Sequence, residues 1–155
     1  MKHVSALPAL ILMLALSSCD TDMVYNRFRP INDGIWTWED RQEFPVEITD
    51  TASMHQIYLQ VRHTVDYPLQ NLYMFVKVEG PTGQQLKDTV NMIIAEPDGT
   101  WKGKGVGRLK ELRLLYRKST VFGHAGTYTF TLEQGMRTHS LPVTDVGVRI
   151  ERVNP

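Results

Sequence analysis

Apolar side chains recur at every second position over much of the chain after Trp36. A period of two places alternate side chains on opposite faces of an extended strand, whereas a helix needs a period near 3.6. The inward-facing sets are Phe44, Val46 and Ile48; Ile57, Leu59 and Val61; Tyr128, Phe130 and Leu132; and Val146, Val148 and Ile150. Each run therefore predicts a strand with one face in a core and the other in water.

Two stretches depart from simple alternation. Leu72–Val78 is apolar on both faces because Tyr73 and Phe75 add to the alternating set, which predicts a central strand covered on both sides. Residues 108–122 fit either a helical or a strand period. We favour a strand there, since its second half is rich in β-forming residues and precedes a glycine-bounded turn.

Turn-forming residues separate the runs. Gly80–Gly83 and Pro97–Gly99 are the clearest turns, and Gly123 and Gly126 bracket another. About seven to nine short strands at this spacing predict an all-β chain folded as an antiparallel β-sandwich, either immunoglobulin-like or jelly-roll-like. The Gly-Thr-Tyr that ends at Tyr128 is similar to a tyrosine corner, which predicts a buried ring whose hydroxyl bonds nearby backbone.

The first 18 residues have the order of an export signal. Lys2 precedes an almost wholly apolar run over residues 4–16, which is too short for a transmembrane helix. The tetrapeptide that ends at Cys19, Leu-Ser-Ser-Cys, resembles the bacterial lipoprotein box, in which the cysteine sulfur accepts a lipid. Cys19 is therefore the predicted lipid-attachment residue, and the membrane is a predicted partner through that lipid.

The predicted organisation has three parts. Residues 1–18 form a lipoprotein signal peptide, residues 19–29 a lipidated tether, and residues 30–155 the β-sandwich domain. The stretch 20–29 has no sustained period, so it fits either a short tether or a lead-in strand.

Composition excludes several classes of function. Lys and Arg number 17, as do Asp and Glu, so no basic excess exists to bind a nucleic-acid backbone. A single cysteine cannot form an internal disulfide, which excludes a disulfide-stapled small fold.

Catalytic motifs are missing from the sequence. No serine lies in a nucleophile elbow, the histidines are scattered, and no cofactor or metal site is predicted. His63 continues an inward strand face and is interpreted as a hydrogen-bonded core histidine. The alternating glycines Gly103, Gly105 and Gly107 fit neither a P-loop nor a dinucleotide fingerprint, so they are interpreted as space for Trp101 or another backbone. The chain is accordingly predicted not to be an enzyme.

The segment Glu133–Arg137 is the best sequence candidate for a functional surface. The strand phase sends Gln134 and Met136 inward, and Gly135 lets the chain turn. In the favoured interpretation Gln134 bonds loop backbone, Met136 plugs the core and the flanking charges are solvated. The alternative makes Arg137 an anchor for a partner protein. Glu133, Arg137 and Trp101 are the predicted partner-binding residues.

Across its whole length the chain resembles the gliding-motility lipoprotein family GldH of the Bacteroidetes. The resemblance rests on the lipoprotein box and on a set of short segments in a fixed order, with Gly135 where the family pattern has Ala. These segments are residues 67–73, 88–89, 99–105, 126–128, 133–137 and 147–151. The resemblance implies a cell-envelope lipoprotein needed for gliding, with no assigned catalytic residue.

Two functions follow as expectations. The first is a non-enzymatic, membrane-anchored interaction component of the gliding machinery, lipid-anchored in the cell envelope at the outer membrane, with other envelope proteins as partners. The second is a glycan- or polymer-binding envelope lipoprotein in a non-gliding bacterium, with Trp36, Trp38 and Trp101 as a stacking platform.

Overall fold

The computed structural model describes residues 22–153. The predicted signal peptide and Cys19 lie outside the described residues. Ten strands follow one another, and within the described part the helical content is limited to one short 3-10 turn, Asn32–Gly34. The strands are β1 (Met23–Pro30), β2 (Trp36–Thr37), β3 (Gln42–Ile48), β4 (His55–Thr64), β5 (Asn71–Glu79), β6 (Gln85–Ile93), β7 (Leu109–Thr120), β8 (Gly126–Gln134), β9 (Ser140–Leu141) and β10 (Val143–Arg152). Among these residues, no helix has the length and apolar character needed to cross a bilayer.

The strands form two antiparallel four-stranded sheets and one short strand pair. One sheet has the order β1-β10-β4-β7, the other β3-β8-β5-β6, and β2 pairs with β9. The long strands therefore alternate between the sheets except at the β5–β6 hairpin. This order is that of an eight-stranded jelly roll, so the sandwich prediction is confirmed and the jelly-roll alternative is the one observed.

The core lies between the sheets and is built from the alternating residues. The predicted inward positions of β3, β4, β8 and β10 are all buried, at 6% exposure or less. The ambiguous stretch 108–122 is strand β7, as favoured. In Tyr128 the ring is buried and its hydroxyl donates to the carbonyl of His124 at 3.1 Å, which confirms the tyrosine-corner prediction.

The structure corrects two sequence interpretations. The segment assigned to a lipidated tether over 19–29 is strand β1 from Met23 onward, because its backbone pairs with β10 along nearly the whole strand. The structured part therefore starts before the predicted boundary at residue 30. Strand β5 is internal to its sheet, as expected, but it is covered on one face only. Its outward side chains Tyr73 and Phe75 are 41% and 48% exposed, since no helix or second sheet among the described residues packs on that face.

Connecting segments gather at two ends of the sandwich. The end where β1 begins, which we call the near end, also holds the start of β4 and the ends of β7 and β10, as the strand register shows. Its connecting segments are residues 49–54, 80–84 and 121–125. The opposite end, called the far end, carries the segments 31–41, 65–70, 94–108 and 135–142.

The alternating glycines leave room for backbone, as predicted. Lys104 and Glu111 form an isolated antiparallel bridge, so the glycine segment runs against the start of β7. A Cβ atom on Gly103 would lie 2.9 Å from the carbonyl oxygen of Glu111, and one on Gly105 would lie 2.2 Å from that of Leu109. Both approaches are closer than a side chain tolerates.

We expect Gly105→Ala to destabilise the sandwich by about 1–3 kcal/mol, because the added methyl group forces the segment off β7. Gly123→Ala is the matched control. Its Cβ meets nothing within 4 Å, so its effect should stay within about 0.5 kcal/mol. Denaturant unfolding of both variants measures the difference. Equal stability of the two would show that the close packing at Gly105 is unimportant.

Candidate functional site

The end of β8 is fixed by one buried amide. Gln134 is 3% exposed, and its Nε2 donates to the carbonyls of Thr138 and His139, at 3.0 Å each. Its Oε1 accepts a hydrogen bond from the Met136 amide at 2.9 Å. Strand β8 ends at Gln134, because the side-chain amide of this residue forms hydrogen bonds with the backbone of the following loop and none with a neighbouring strand. The structural interpretation of Gln134 is thus confirmed.

Met136 ties three segments together. Its side chain packs against the core, and its Sδ accepts from the Tyr73 amide at 3.0 Å. Its carbonyl accepts a hydrogen bond from the Trp38 indole at 2.9 Å. The expected role of Met136 as a plug of the core is confirmed, and the same residue also orients an exposed tryptophan.

Trp38, Tyr73, Phe75 and Met136 form what we call the aromatic patch. The three rings are exposed by 46%, 41% and 48%, although each belongs to a residue type that favours burial. Gly135 lies beneath them: its amide donates to the Tyr73 carbonyl at 2.7 Å, and a Cβ there would lie 3.2 Å from the Phe75 ring. A glycine at this position therefore lets the Phe75 ring lie against the backbone.

Trp38, Phe75, Glu133, Gln134, Gly135 and Met136 line a shallow depression of about 320 Å³. A depression of this volume, open to water and bounded by aromatic rings, can receive one side chain of another molecule. The patch lies at the far end of the sandwich, where β8 ends, and extends onto the outer face of β5.

Charged groups surround the aromatic patch. Glu133 is half-buried and pairs with Arg41, Nε to Oε1, at 3.3 Å. The His139 ring meets Trp38 edge-on at 5.1 Å between centroids and lies 3.1 Å from a carboxylate oxygen of Glu39. Hydrogen bonds, chiefly from its own backbone amide, hold the pKa of Glu39 below its ordinary value.

Arg137 differs from these charges. It directly follows Met136, its side chain is exposed, and within residues 22–153 it makes no recorded hydrogen bond or ion pair. A guanidinium with no internal partner keeps all five donors for water or for another molecule. Of the predicted residues, Glu133 lines the depression and is paired with Arg41, whereas Arg137 directly follows Met136 of the patch and has no ion pair among residues 22–153.

Trp101 lies at another place on the far end. It is half-buried, bridges to Ala95 and packs on His63 with ring centroids 5.0 Å apart. Trp36 is fully buried, with its indole bonded to the Asp40 carbonyl at 2.7 Å. The predicted three-tryptophan stacking platform is therefore wrong: one ring is in the core, one is half-covered, and only Trp38 is open.

His63 is a core residue with one unpaired nitrogen. The side chain is fully buried, and its Nδ1 lies 2.9 Å from the Thr64 carbonyl. Its Nε2 has no hydrogen-bond partner among residues 22–153, so within that part of the chain the expectation of a hydrogen-bonded histidine holds for one ring nitrogen only. Burial is the main cause that lowers the pKa of His63, which keeps the ring neutral beside Trp101 and Tyr67.

Three further carboxylates have structural partners: Asp66 and Asp98 lie in turns, and Asp88 lies within strand β6. Asp98 accepts from the Thr100 amide at 2.9 Å, and Asp66 pairs with Arg108. Asp88 accepts a hydrogen bond from the Tyr116 hydroxyl at 2.6 Å and pairs with Arg117. The pKa of Tyr116 is raised to about 12, mainly because the hydroxyl is buried and secondly because of this hydrogen bond. Among residues 22–153, no group of three His, Cys, Asp or Glu side chains is placed to hold a metal ion.

Sequence reasoning missed three of the four residues of the patch. The sequence shows Tyr73 and Phe75 as apolar residues on the second face of a strand, a pattern that predicts burial. The sequence prediction for Trp38 is limited to a place in the three-tryptophan platform. The sequence does carry a signal for the aromatic patch. The second face of β5 is apolar, and the strand end at Gln134–Gly135 leaves that face uncovered.

The comparisons with known proteins agree on one family. The family model described as GldH lipoprotein matches residues 23–150. A protein of Christiangramia forsetii named gliding motility lipoprotein GldH homolog is 28% identical over 148 residues, covering 90% of each chain. The gliding motility lipoprotein GldH of Flavobacterium johnsoniae is 31% identical over 153 residues, covering 92% of this chain and 94% of that one.

One solved structure, of the infectious bursal disease virus Gt strain, is 13% identical with a TM-score of 0.17 and is matched over 43% of its length and 86% of this chain. The fold assignment rests on the strand order and not on that likeness. The family match spans both sheets and the segment that builds the aromatic patch. On this evidence the chain belongs to the GldH lipoprotein family.

Proposed function

We propose that this chain is a non-enzymatic component of the gliding machinery that docks on another envelope protein through the aromatic patch and Arg137. The single observation that carries the proposal is the exposure of Trp38, Tyr73 and Phe75 in a patch whose Met136 is followed along the chain by an arginine that makes no ion pair within the described residues. Tyr, Trp and Arg are the residue types that dominate binding energy at protein interfaces, and Phe and Met are also enriched there.

Membership in a lipoprotein family makes the chain a lipid-anchored protein of the cell envelope. We propose Cys19 as the residue that carries the lipid and the outer membrane as the membrane that holds it. The role in gliding is supported by the names of the two relatives, which are gliding-motility lipoproteins.

A binding role fits the patch better than a catalytic one. Among the described residues, the acids near the patch are already engaged: Glu133 is in an ion pair with Arg41, and Glu39 is in hydrogen-bond contact with the His139 ring. A hydrolytic or transfer reaction needs a nucleophile, an acid or a base aimed at one point. The depression beside Gly135 offers aromatic and thioether surface instead, which suits an apolar anchor from a partner.

We expect Arg137→Ala and Trp38→Ala to release the partner. The lipidated protein would be purified in detergent from the envelope of its own cells, and co-eluting proteins would be identified and quantified. Loss of either side chain should lower a co-eluting protein by at least about tenfold, since a central interface residue contributes about 2 kcal/mol or more. Gliding of cells that carry each variant as the sole copy should fall with it.

Leu115→Ala is the matched control, because Leu115 is 41% exposed on the other sheet, away from the aromatic patch. It should leave the partner and gliding unchanged. Arg137→Ala should also leave the melting temperature unchanged, since the side chain is exposed and makes no hydrogen bond or ion pair among residues 22–153. Retention of all co-eluting proteins by both variants would reject the patch as the docking surface, and binding of the purified chain to a glycan array would favour the polymer-binding alternative.

A further inference from the structure

The two ends of the sandwich differ in charge. The near-end segments 49–54, 80–84 and 121–125 contain one Asp, Glu, Lys or Arg side chain, Asp50, which pairs with Arg152 at 3.1 Å. The far-end segments carry eleven such side chains: Asp33, Glu39, Asp40, Arg41, Asp66, Glu96, Asp98, Lys102, Lys104, Arg108 and Arg137. The connecting segments of the near end thus carry fewer charged side chains than those of the far end, which lowers the cost of bringing their apolar residues among lipid headgroups.

Three apolar side chains are exposed at that same end. Met23, Met54 and Val121 are 42%, 53% and 55% exposed, and we call these three residues the near-end rim. Backbone hydrogen bonds hold them side by side. The Arg152 amide donates to the Asp22 carbonyl at 2.7 Å, and the Val153 amide donates to the Met54 carbonyl at 2.8 Å.

The rim extends to β7 through strand register. His55, which follows Met54, pairs with Thr120, which precedes Val121. The order across this end is therefore Met23 on β1, the end of β10, Met54 before β4 and Val121 after β7. The row follows the full width of one sheet, so several residues can meet a flat surface together.

The chain leads directly from this rim to the predicted anchor. Met23 is four residues from Cys19, and four residues span at most about 14 Å even when fully extended. The headgroup region on each side of a bilayer is about 5–8 Å deep. A lipid on Cys19 therefore keeps the start of β1 within about two to three headgroup depths of the membrane, with the near end as the part of the domain closest to it.

From this geometry we infer that the near-end rim rests on the bilayer that holds the chain's own lipid, with Met54 and Val121 inserted among the headgroups. The inference depends on the proposed attachment at Cys19. The occupant of this surface is a lipid membrane. The four residues from Cys19 to Met23 are too few to leave room for another protein between the near end and the membrane.

This orientation has a consequence for the aromatic patch. Strand β10 runs from the far end to the near end over ten residues, which rise about 33 Å in total. A domain that stands on its near end would hold the loop residues Trp38 and Arg137 about that distance above the lipid, with Phe75 facing sideways from the outer face of β5. Two binding surfaces would then act at opposite ends of one rigid sandwich.

Site-specific fluorescence quenching tests the inference on the lipidated full chain. Cys19 is the only cysteine, and its sulfur is blocked once lipidated, so an introduced cysteine is the single labelling site. Met54→Cys, Val121→Cys and Val106→Cys would each carry an NBD fluorophore. Val106 is the matched control, since it is 95% exposed at the far end. Vesicles would consist of phosphatidylethanolamine and phosphatidylglycerol with nitroxide-labelled phosphatidylcholine as the quencher.

We expect quenching at positions 54 and 121 to exceed that at 106 several-fold. Adding Met54→Asp to the chain labelled at 121 should reduce its quenching, whereas adding Val106→Asp should not, and thermal melting would show that every variant is folded. Weak and equal quenching at all three positions in chains that float with the vesicles would overturn the inference while leaving the anchor intact. Failure of the wild-type chain to float would reject the anchor, and the inference with it.

Discussion

Cys19→Ala should abolish the incorporation of labelled fatty acid and release the protein from the membrane fraction. The sulfur of Cys19 is the predicted acceptor of the lipid, and alanine offers no nucleophile in its place. Each buried methylene of an acyl chain contributes about 0.8 kcal/mol to membrane binding, so the loss of two or three chains removes nearly all of the affinity. Metabolic labelling, followed by detergent phase partitioning, measures both effects.

Ser18→Ala is the control for this prediction, because it keeps a small residue directly before the cysteine. It should be labelled and partition like the wild-type chain. Continued labelling of the Cys19→Ala chain would show that the lipid is attached elsewhere. The near-end rim alone would not keep the Cys19→Ala chain on the membrane, since three side chains bury far less apolar surface than an acyl chain.

The sequence predicts the sheets well because their signal is local. In β3, β4, β8 and β10, an apolar residue at every second position is enough to predict both the strand and which of its side chains face the core. These positions are buried as expected. The choice between a jelly roll and an immunoglobulin-like sandwich depends on which strands pair at long range. That information is spread over the register of strands such as β1 with β10 and is not carried by any single segment.

The sequence does not predict whether the second face of a strand is buried or exposed. Tyr73 and Phe75 have the same pattern whether a layer covers them or not, because periodicity reports only that a face is apolar. The same ambiguity affects β1, whose mixed composition hides its pairing with β10. The strand phase predicts Glu133 and Arg137 because it is local, whereas Trp38 joins this segment through a hydrogen bond to Met136, 98 residues later in the chain.

The part of the core at the near end depends on Tyr128. Tyr128 is 6% exposed, and its ring meets Phe122 edge-on with centroids 4.8 Å apart. A Cβ on Gly80 would lie 3.1 Å from the same ring, so the β5–β6 turn closes tightly over it. Phe122 in turn meets the buried His55 ring at 5.2 Å, which connects this cluster to the base of the near-end rim.

Tyr128→Ala should therefore destabilise the sandwich by about 3–5 kcal/mol, because it opens a cavity where two sheets and two turns meet. That loss would lower the melting temperature by on the order of 10 °C.

Two variants serve as controls. Tyr128→Phe keeps the ring and loses only the hydrogen bond to the His124 carbonyl. That carbonyl lies in an exposed loop where water can replace the donor, so the variant should cost about 1 kcal/mol. Thr127→Ala, on the outward face of the same strand, loses only an exposed hydrogen bond to Glu47 at 2.8 Å and should cost less than about 1 kcal/mol. Denaturant unfolding, followed by the fluorescence of the buried Trp36, measures all three. A loss below about 1 kcal/mol for Tyr128→Ala would mean that the turns collapse onto the cavity, and that the ring does not hold the near end together.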